Sequence, residues 1–325
     1  MIDLPDFSAV EDAAARLQGR IEATPVLRSD AFDARSGRRV FFKCENLQAG
    51  GSFKLRGATN AVLLPRRAGL QAVATHSSGN HGAALARAAR AAGLRCIVVV
   101  PRDASAVKLA AIEAQGAELV RSEPGLAARE AALAEVLQSI DAEVVHPFDD
   151  ARVIAGQGTA ALELLAVRDD LDVLATPVGG GGLLAGSALA ARGSGAKLRV
   201  IGVEPELADD AARSFHGGVR VGVQGSPPTI ADGLRGSIGE RPYALVREWV
   251  DDILTVSESA IVAAMRAVLE DFKILIEPSS AVPVAALLDG RLAAAGARVG
   301  IVISGGNVDL AQCPFLAGTR LSARG

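Results

Sequence analysis

Gly50-Gly51-Ser52-Phe53-Lys54-Leu55-Arg56-Gly57 sets one lysine in a glycine-led loop ahead of a helix-like segment. A lysine ammonium in water has a pKa of about 10.4, so it is neither a nucleophile nor a base at neutral pH. Burial lowers that value, and a buried lysine amine can condense with an aldehyde carbon. By itself such a lysine reads as an ordinary solvated side chain. Three further segments change the reading. In Ser77-Ser78-Gly79-Asn80-His81-Gly82, hydroxyls and N–H groups ahead of a helix near Ala83 suit a carboxylate. Gly179-Gly180-Gly181-Gly182 follow an apolar run and open a helix at Leu183, a place where backbone N–H groups can converge on an anion. Ser304-Gly305-Gly306-Asn307 ends the last strong strand pattern with a hydroxyl.

Two of these features have rival readings. The four glycines also suit a plain flexible turn. Gly180-x-Gly182-x-x-Ala185, with Glu204 about twenty residues on, loosely fits a dinucleotide-binding turn. That reading leaves Lys54, Asn80 and Ser304 without work. In Val203-Glu204-Pro205-Glu206-Leu207-Ala208-Asp209-Asp210, the Glu204 and Asp210 carboxylates and the Ala208 carbonyl can furnish three hard oxygen ligands. Water would complete a Mg²⁺ or Ca²⁺ sphere there; the alternative is a solvated acidic turn.

The elements needed to hold these groups are legible as an alternation. Val/Ile-rich runs at Ala72–Thr75, Cys96–Val100, Glu118–Val120, Val144–Val145, Val173–Pro177, Val200–Val203 and Val299–Ser304 read as strands. Segments of helical period lie between them, at Ala83–Ala92, Ala127–Ser139, Gly156–Ala166, Leu183–Ala191 and Glu258–Phe272. Such alternation predicts an α/β protein with parallel or mostly parallel sheets wrapped by helices. Ser8, with Glu11 three residues on, predicts a capping-box start for an N-terminal helix ending near Gly19.

Composition agrees with an enzyme and excludes other classes. Half of the 325 residues are apolar, enough for a large core and usually two domains. Basic and acidic residues nearly balance, 34 against 37, and no basic run or aromatic ladder suggests nucleic acid. Apolar stretches fall short of a membrane span, and no export signal is visible. Cys44, Cys96 and Cys313 are odd in number and widely spaced, reading as reduced thiols in a cytoplasmic protein.

In order and spacing, the four motifs resemble the threonine dehydratase and serine racemase family, pyridoxal-phosphate (PLP) enzymes of fold type II, the tryptophan-synthase-β fold. The resemblance runs from Thr24-Pro25 to Asn307. It implies two parallel or mostly parallel sheets, with a small substrate-binding domain at 72–148 inserted into a large PLP-binding domain of 1–71 and 149–325. A homodimer is also implied.

By that resemblance Lys54 carries the cofactor and acts as general base at the substrate Cα, with Phe53 against the cofactor ring. Gly179, Gly180, Gly181 and Gly182 cradle its phosphate, and the Ser304 hydroxyl bonds its ring nitrogen. Asn80 bonds its ring oxygen, while Ser77, Ser78, Asn80 and His81 grip the substrate carboxylate. Arg129 approaches the substrate side chain, unless it is a helix-surface arginine. Glu204, Ala208 and Asp210 match a divalent-cation site. Glu277-Pro278-Ser279-Ser280-Ala281 resembles a further motif beside the cofactor. The chain departs from the pattern at Gly50, where the family has Thr, and at Gly236, where racemases carry Ser.

The implied reaction is β-elimination from L-serine, L-threonine or 3-hydroxyaspartate, giving a 2-oxo acid and ammonia. A neutral hydroxyl on the ring nitrogen makes a weaker electron sink than a carboxylate partner, which favours prompt loss of the β-substituent. The alternative is a serine or aspartate racemase, with Lys54 and Ser78 as acid and base on opposite faces. A PLP-fold binding protein without activity is a third reading.

Overall fold

The computed structural model describes residues 2–65, 69–223, 225–294 and 296–315. Its strands are β1 (Val26–Leu27), β2 (Arg39–Cys44), β3 (Ala72–His76), β4 (Arg95–Pro101), β5 (Glu118–Ser122) and β6 (Glu143–Val144). They continue as β7 (Val173–Pro177), β8 (Arg199–Pro205), β9 (Asp252–Val256) and β10 (Arg298–Ile303). Six of them form one sheet in the order β1-β2-β10-β7-β8-β9, and four form another in the order β5-β4-β3-β6.

Every pairing is parallel except β1 with β2. β10 lies between β2 and β7, with Val299 opposite Val40 on one side and Val173 on the other. Parallel strands are covered by helices on both faces, so they read as unbroken apolar runs. β7 is buried throughout, and β4 from Cys96 to Val100. The fold is therefore α/β with two mostly parallel sheets wrapped by helices.

All seven runs read from the sequence as strands fall on β3 to β8 and β10. The N-terminal helix does form, over Phe7–Leu17, but its cap differs from the reading above. Asp6 is the N-cap, its carboxylate accepting from Ala9 N at 3.0 Å, and Ser8 Oγ donates to the same oxygen at 2.7 Å. A carboxylate is the stronger acceptor at a helix N-terminus, so the serine becomes its partner.

β2, not read from the sequence, lies between β1 and β10 in the larger sheet and carries a buried lysine. Lys43 is 1% exposed, Arg56 and Glu45 are fully buried, and Glu163 is half-buried. Arg56 binds Glu45 bidentately, Nε to Oε2 at 2.7 Å and Nη2 to Oε1 at 2.8 Å. It also reaches both oxygens of Glu163, at 2.7 and 2.8 Å, and Thr159 Oγ1 at 3.1 Å. Lys43 Nζ lies 2.5 Å from Glu163 Oε2 and 2.5 Å from the Thr24 carbonyl. Two cations and two anions thus cancel within the interior. Burial works against each charge, but Arg56 holds the Glu163 carboxyl below its usual range and Glu45 holds the guanidinium above its own.

Arg56 stands two residues from Lys54 on the helix Lys54–Leu63, so this network anchors that helix from beneath. Removing one partner leaves the other charges buried and uncompensated, at a cost of about 3–5 kcal/mol. Arg56→Met is therefore expected to lower the unfolding free energy by about that amount in denaturant titration. Arg56→Lys should recover little of it, since an ammonium cannot reproduce the bidentate fork. A loss under about 1 kcal/mol for Arg56→Met would show that the network is not anchoring the fold.

Candidate active site

The motif residues gather at the carboxyl ends of parallel strands, where open α/β sheets leave a crevice. Ser304 directly follows β10, Ser77 directly follows β3, and the glycine run begins two residues past β7. Lys54, Asn80 and Gly182 each open a helix, Lys54–Leu63, Asn80–Ala91 and Gly182–Gly193.

Backbone contacts tie these ends together. Phe53 N donates to the Ser304 carbonyl at 2.9 Å, Gly306 N to the Gly51 carbonyl at 2.9 Å, and Ser52 pairs with Gly305 in an isolated bridge. Lys54 Nζ donates to the Pro147 carbonyl at 2.9 Å and lies 5.0 Å from the Phe53 ring centroid. The next residue, Phe148, closes over the glycine run, since a Cβ at Gly180 would fall 2.2 Å from its ring. Lysine and glycine run therefore share one wall.

The glycines are needed for protein packing as well as for their N–H groups. A Cβ at Gly179 would lie 2.9 Å from the Leu234 backbone, and Gly181 has φ +83 with Pro242 at 2.8 Å. The first N–H groups of the helix that follows have no intrahelical acceptor. At Gly50, φ is +93 with open space around the missing Cβ, so glycine relieves strain that a threonine would suffer. Gly236 also has room for a side chain, its nearest neighbour being Phe148 Cε1 at 3.8 Å.

Ser304 is buried, and among the described residues its hydroxyl bonds Ser280 Oγ alone, at 2.9 Å. Ser280 is itself held by Gly305, accepting from its N–H at 2.6 Å and donating to its carbonyl at 2.7 Å. Asn80 Nδ2 reaches both Glu277 oxygens, and its Oδ1 accepts from Asn307. His81 is buried with Nε2 3.2 Å from the Val145 carbonyl. Ser77 and Ser78 sit half-buried in the turn before it. Arg129 is half-buried on helix Leu126–Ser139, donating to the Gly125 carbonyl at 3.3 Å.

Burial disfavours the charged form of each titratable group here. It pushes the Lys54 ammonium down to about 8, partly offset by the Glu277 carboxylate. Burial pushes the His76 imidazole down to about 4, with smaller contributions from His146 and the Arg129 charge. His146 falls to about 4 and His81 well below its ordinary value, again chiefly through burial. Burial raises the Glu277 carboxyl, against the Asn80 hydrogen bonds.

His76 and His146 went unread in the sequence, although their rings meet edge to face at 5.3 Å. His76 directly precedes Ser77, which is a signal; His146 has none, since only the fold brings residue 146 to Lys54. Lys108 was missed as well. It pairs with Asp232, joining the helix Ala106–Glu113 to the turn at Asp232–Leu234.

Glu204, Ala208 and Asp210 lie together at the end of β8, away from these groups in the chain, and all three are buried. Glu204 accepts from the N–H groups of Ala211 and Ala212 at 3.3 and 2.8 Å, and Asp210 Oδ2 accepts from Ile238 N at 2.8 Å. Among the described residues, Asp210 Oδ1 is buried without a hydrogen-bond partner. Burial, then repulsion from Asp210, raises the Glu204 carboxyl well above its usual range; burial raises Asp210 to about 6.

Pyridoxal phosphate has an aldehyde, a phosphate, a ring nitrogen and a ring oxygen. The cleft offers an amine of lowered pKa, a glycine-rich helix N-terminus, a buried hydroxyl and an amide N–H, so the donor set fits the group. A family profile described as "Pyridoxal-phosphate dependent enzyme" matches residues 17–305. The β-hydroxyaspartate dehydratase of Paracoccus denitrificans is 42% identical over 313 residues, 96% of this chain and 99% of that protein. A serine racemase of Arabidopsis thaliana is 42% identical over 311 residues, 94% of each chain. The structure of maize serine racemase superposes with a TM-score of 0.91 at 38% identity, covering 95% of both chains. Fold, donor set and similarity agree that the chain belongs to the pyridoxal-phosphate dependent enzymes of fold type II, among the serine racemase, hydroxyaspartate dehydratase and threonine deaminase relatives.

Proposed function

We propose that this chain catalyses β-elimination from a hydroxy amino acid, giving a 2-oxo acid and ammonia, with L-serine, L-threonine or 3-hydroxyaspartate as substrate. The observation that carries elimination over transamination is Ser304, whose neutral hydroxyl is partnered by Ser280 alone among the described residues; Gly236, where racemases carry a serine, weighs against racemisation. Pyridoxal phosphate supplies an electron sink for the bonds at Cα, and a neutral hydroxyl on its ring nitrogen keeps that sink weak. A short-lived negative charge at Cα favours departure of the β-hydroxyl.

The chain's own residues supply the rest. Lys54 Nζ removes the proton from Cα, and its lowered pKa suits a base at neutral pH. Ser77, Asn80 and His81 orient the substrate carboxylate at the start of helix Asn80–Ala91. Arg129, whose charge is felt at His76, suits a polar or acidic β-substituent. The N–H groups following Gly179 hold the cofactor phosphate. Water leaves the substrate and returns on hydrolysis, so L-serine yields pyruvate and ammonia. The smaller unit at 72–148, built on β3 to β6, carries the carboxylate loop.

Glu204, the Ala208 carbonyl and Asp210 are proposed to hold Mg²⁺ or Ca²⁺ with water in a structural role. The orphaned Asp210 Oδ1 and the two buried carboxylates supply the oxygens and negative charge that such an ion requires. A second reading, serine or aspartate racemisation, is favoured by Ser78, which lies in the same turn as Ser77 and could return a proton from the opposite face.

With PLP and Mg²⁺ present, the chain should form pyruvate from L-serine faster than D-serine, measured in one sample; the reverse ratio would favour racemase. Ser78→Ala should leave pyruvate formation within about tenfold, whereas Lys54→Ala should lower it by a factor of about 10³. Only the unprotonated amine captures an aldehyde, so PLP uptake by the apoprotein should rise with pH with a midpoint of about 8. A midpoint near 10 would mean that Lys54 is solvated. Chelation by EDTA should lower the unfolding temperature, and Glu204→Gln with Asp210→Asn should abolish that response.

A further inference from the structure

The Asn80 side chain is held from two directions. Its Nδ2 donates to both Glu277 carboxylate oxygens, at 3.1 and 3.0 Å. Its Oδ1 accepts from Asn307 Nδ2 at 2.9 Å, and that same nitrogen donates to the Gly50 carbonyl at 2.8 Å. The two ends of an amide have nearly the same shape, so neighbouring donors and acceptors decide which way it points.

Both ends of this chain of bonds are committed. A backbone carbonyl can only accept, which fixes Asn307 with its nitrogen towards Gly50. An ionised carboxylate can only accept, which fixes Asn80 with its nitrogen towards Glu277. Turning Asn80 over would set an oxygen against the carboxylate and one amide nitrogen against another.

The backbone is shaped to admit both clamping side chains. A Cβ at Gly305 would fall 2.8–2.9 Å from the Glu277 carboxyl atoms. At Gly51, with φ +76, a Cβ would fall 2.2 Å from Asn307 Oδ1. Any side chain at either position displaces one of the clamps. Glu277 is further tied down through its backbone, its N–H donating to the Gly305 carbonyl at 3.0 Å. It is 5% exposed, so water cannot substitute for it as an acceptor.

We propose that Glu277 and Asn307 are positioning residues that lock Asn80 as a hydrogen-bond donor, presenting its remaining N–H to the ring oxygen of pyridoxal phosphate. The inference rests on the functional reading above, in which Asn80 meets that oxygen. A fixed donor there favours the anionic oxygen and so tunes the visible absorption of the bound cofactor and its response to pH.

The test uses PLP-loaded protein and reads the cofactor's visible spectrum against pH together with kcat and KM. Asn307→Ala, at an exposed position, and Glu277→Gln and Glu277→Leu are made singly and in an Asn80→Ala background. Glu277→Leu and Asn307→Ala should each shift the band or its pH midpoint and lower kcat about tenfold, with KM changed less than about threefold. Glu277→Gln, which still presents one acceptor, should recover part of both. In the Asn80→Ala background none of the three should shift the band further, since all act through Asn80.

Equal shifts with and without Asn80, or Gln no better than Leu, would overturn the inference while leaving the functional reading intact. Unaltered protein that takes up PLP without a visible band would overturn the reading and the inference with it.

Discussion

The charge network under Lys54 is the constraint on which the site depends. Arg56 lies two residues along the helix that Lys54 opens, and it cannot remain in a dry interior unless Glu45 and Glu163 meet it with matching geometry. Glu45 follows β2 directly, Lys43 lies within β2, and Glu163 lies on helix Ala151–Val167. One guanidinium thus joins the lysine helix, the end of β2 and a long helix that packs beside it. Such a pairing gains specificity rather than much net stability, since each partner is costly to bury alone. Its effect is to allow one placement of the lysine loop.

Above that network the site is governed by desolvation. Burial lowers Lys54 and the three histidines, and raises Glu277. Orientation there rests on hydrogen bonds whose donors and acceptors cannot exchange roles. Asn80 with Glu277 and Asn307 is the clearest case. The acidic pair at the end of β8 obeys the same rule: burial raises both carboxyls, with repulsion from Asp210 adding at Glu204.

Much of the sheet framework was legible because parallel strands buried on both faces are continuous apolar runs. β3, β4, β7, β8 and β10 are of this kind. β2 was not legible, since Arg39 and Lys43 interrupt its hydrophobic pattern; Lys43 is inside because Glu163 and the Thr24 carbonyl meet it from other parts of the chain. Helix Pro278–Leu288 was hidden for a different reason. It is apolar on nearly every side and contains Pro283, so it has no amphipathic stripe to read. At the N-terminus local pattern selected Ser8, but the nearby Asp6 carboxylate outcompeted it as the cap.

The sequence by itself determined which chemistry was on offer: a lysine in a glycine-led loop, a polar turn ahead of a helix, a glycine run after a strand and a serine at a strand end. Those are local signals, because backbone freedom and side-chain type are properties of short segments. The tertiary structure decided what those groups face. It brought Pro147 to Lys54, Phe148 against the glycine run, Glu277 and Asn307 to Asn80, and Ser280 to Ser304. Each of those partners lies from 24 to 227 residues away in the chain. Burial and the choice of hydrogen-bond partner exist only once distant segments have packed, so no reading of neighbouring residues could supply them.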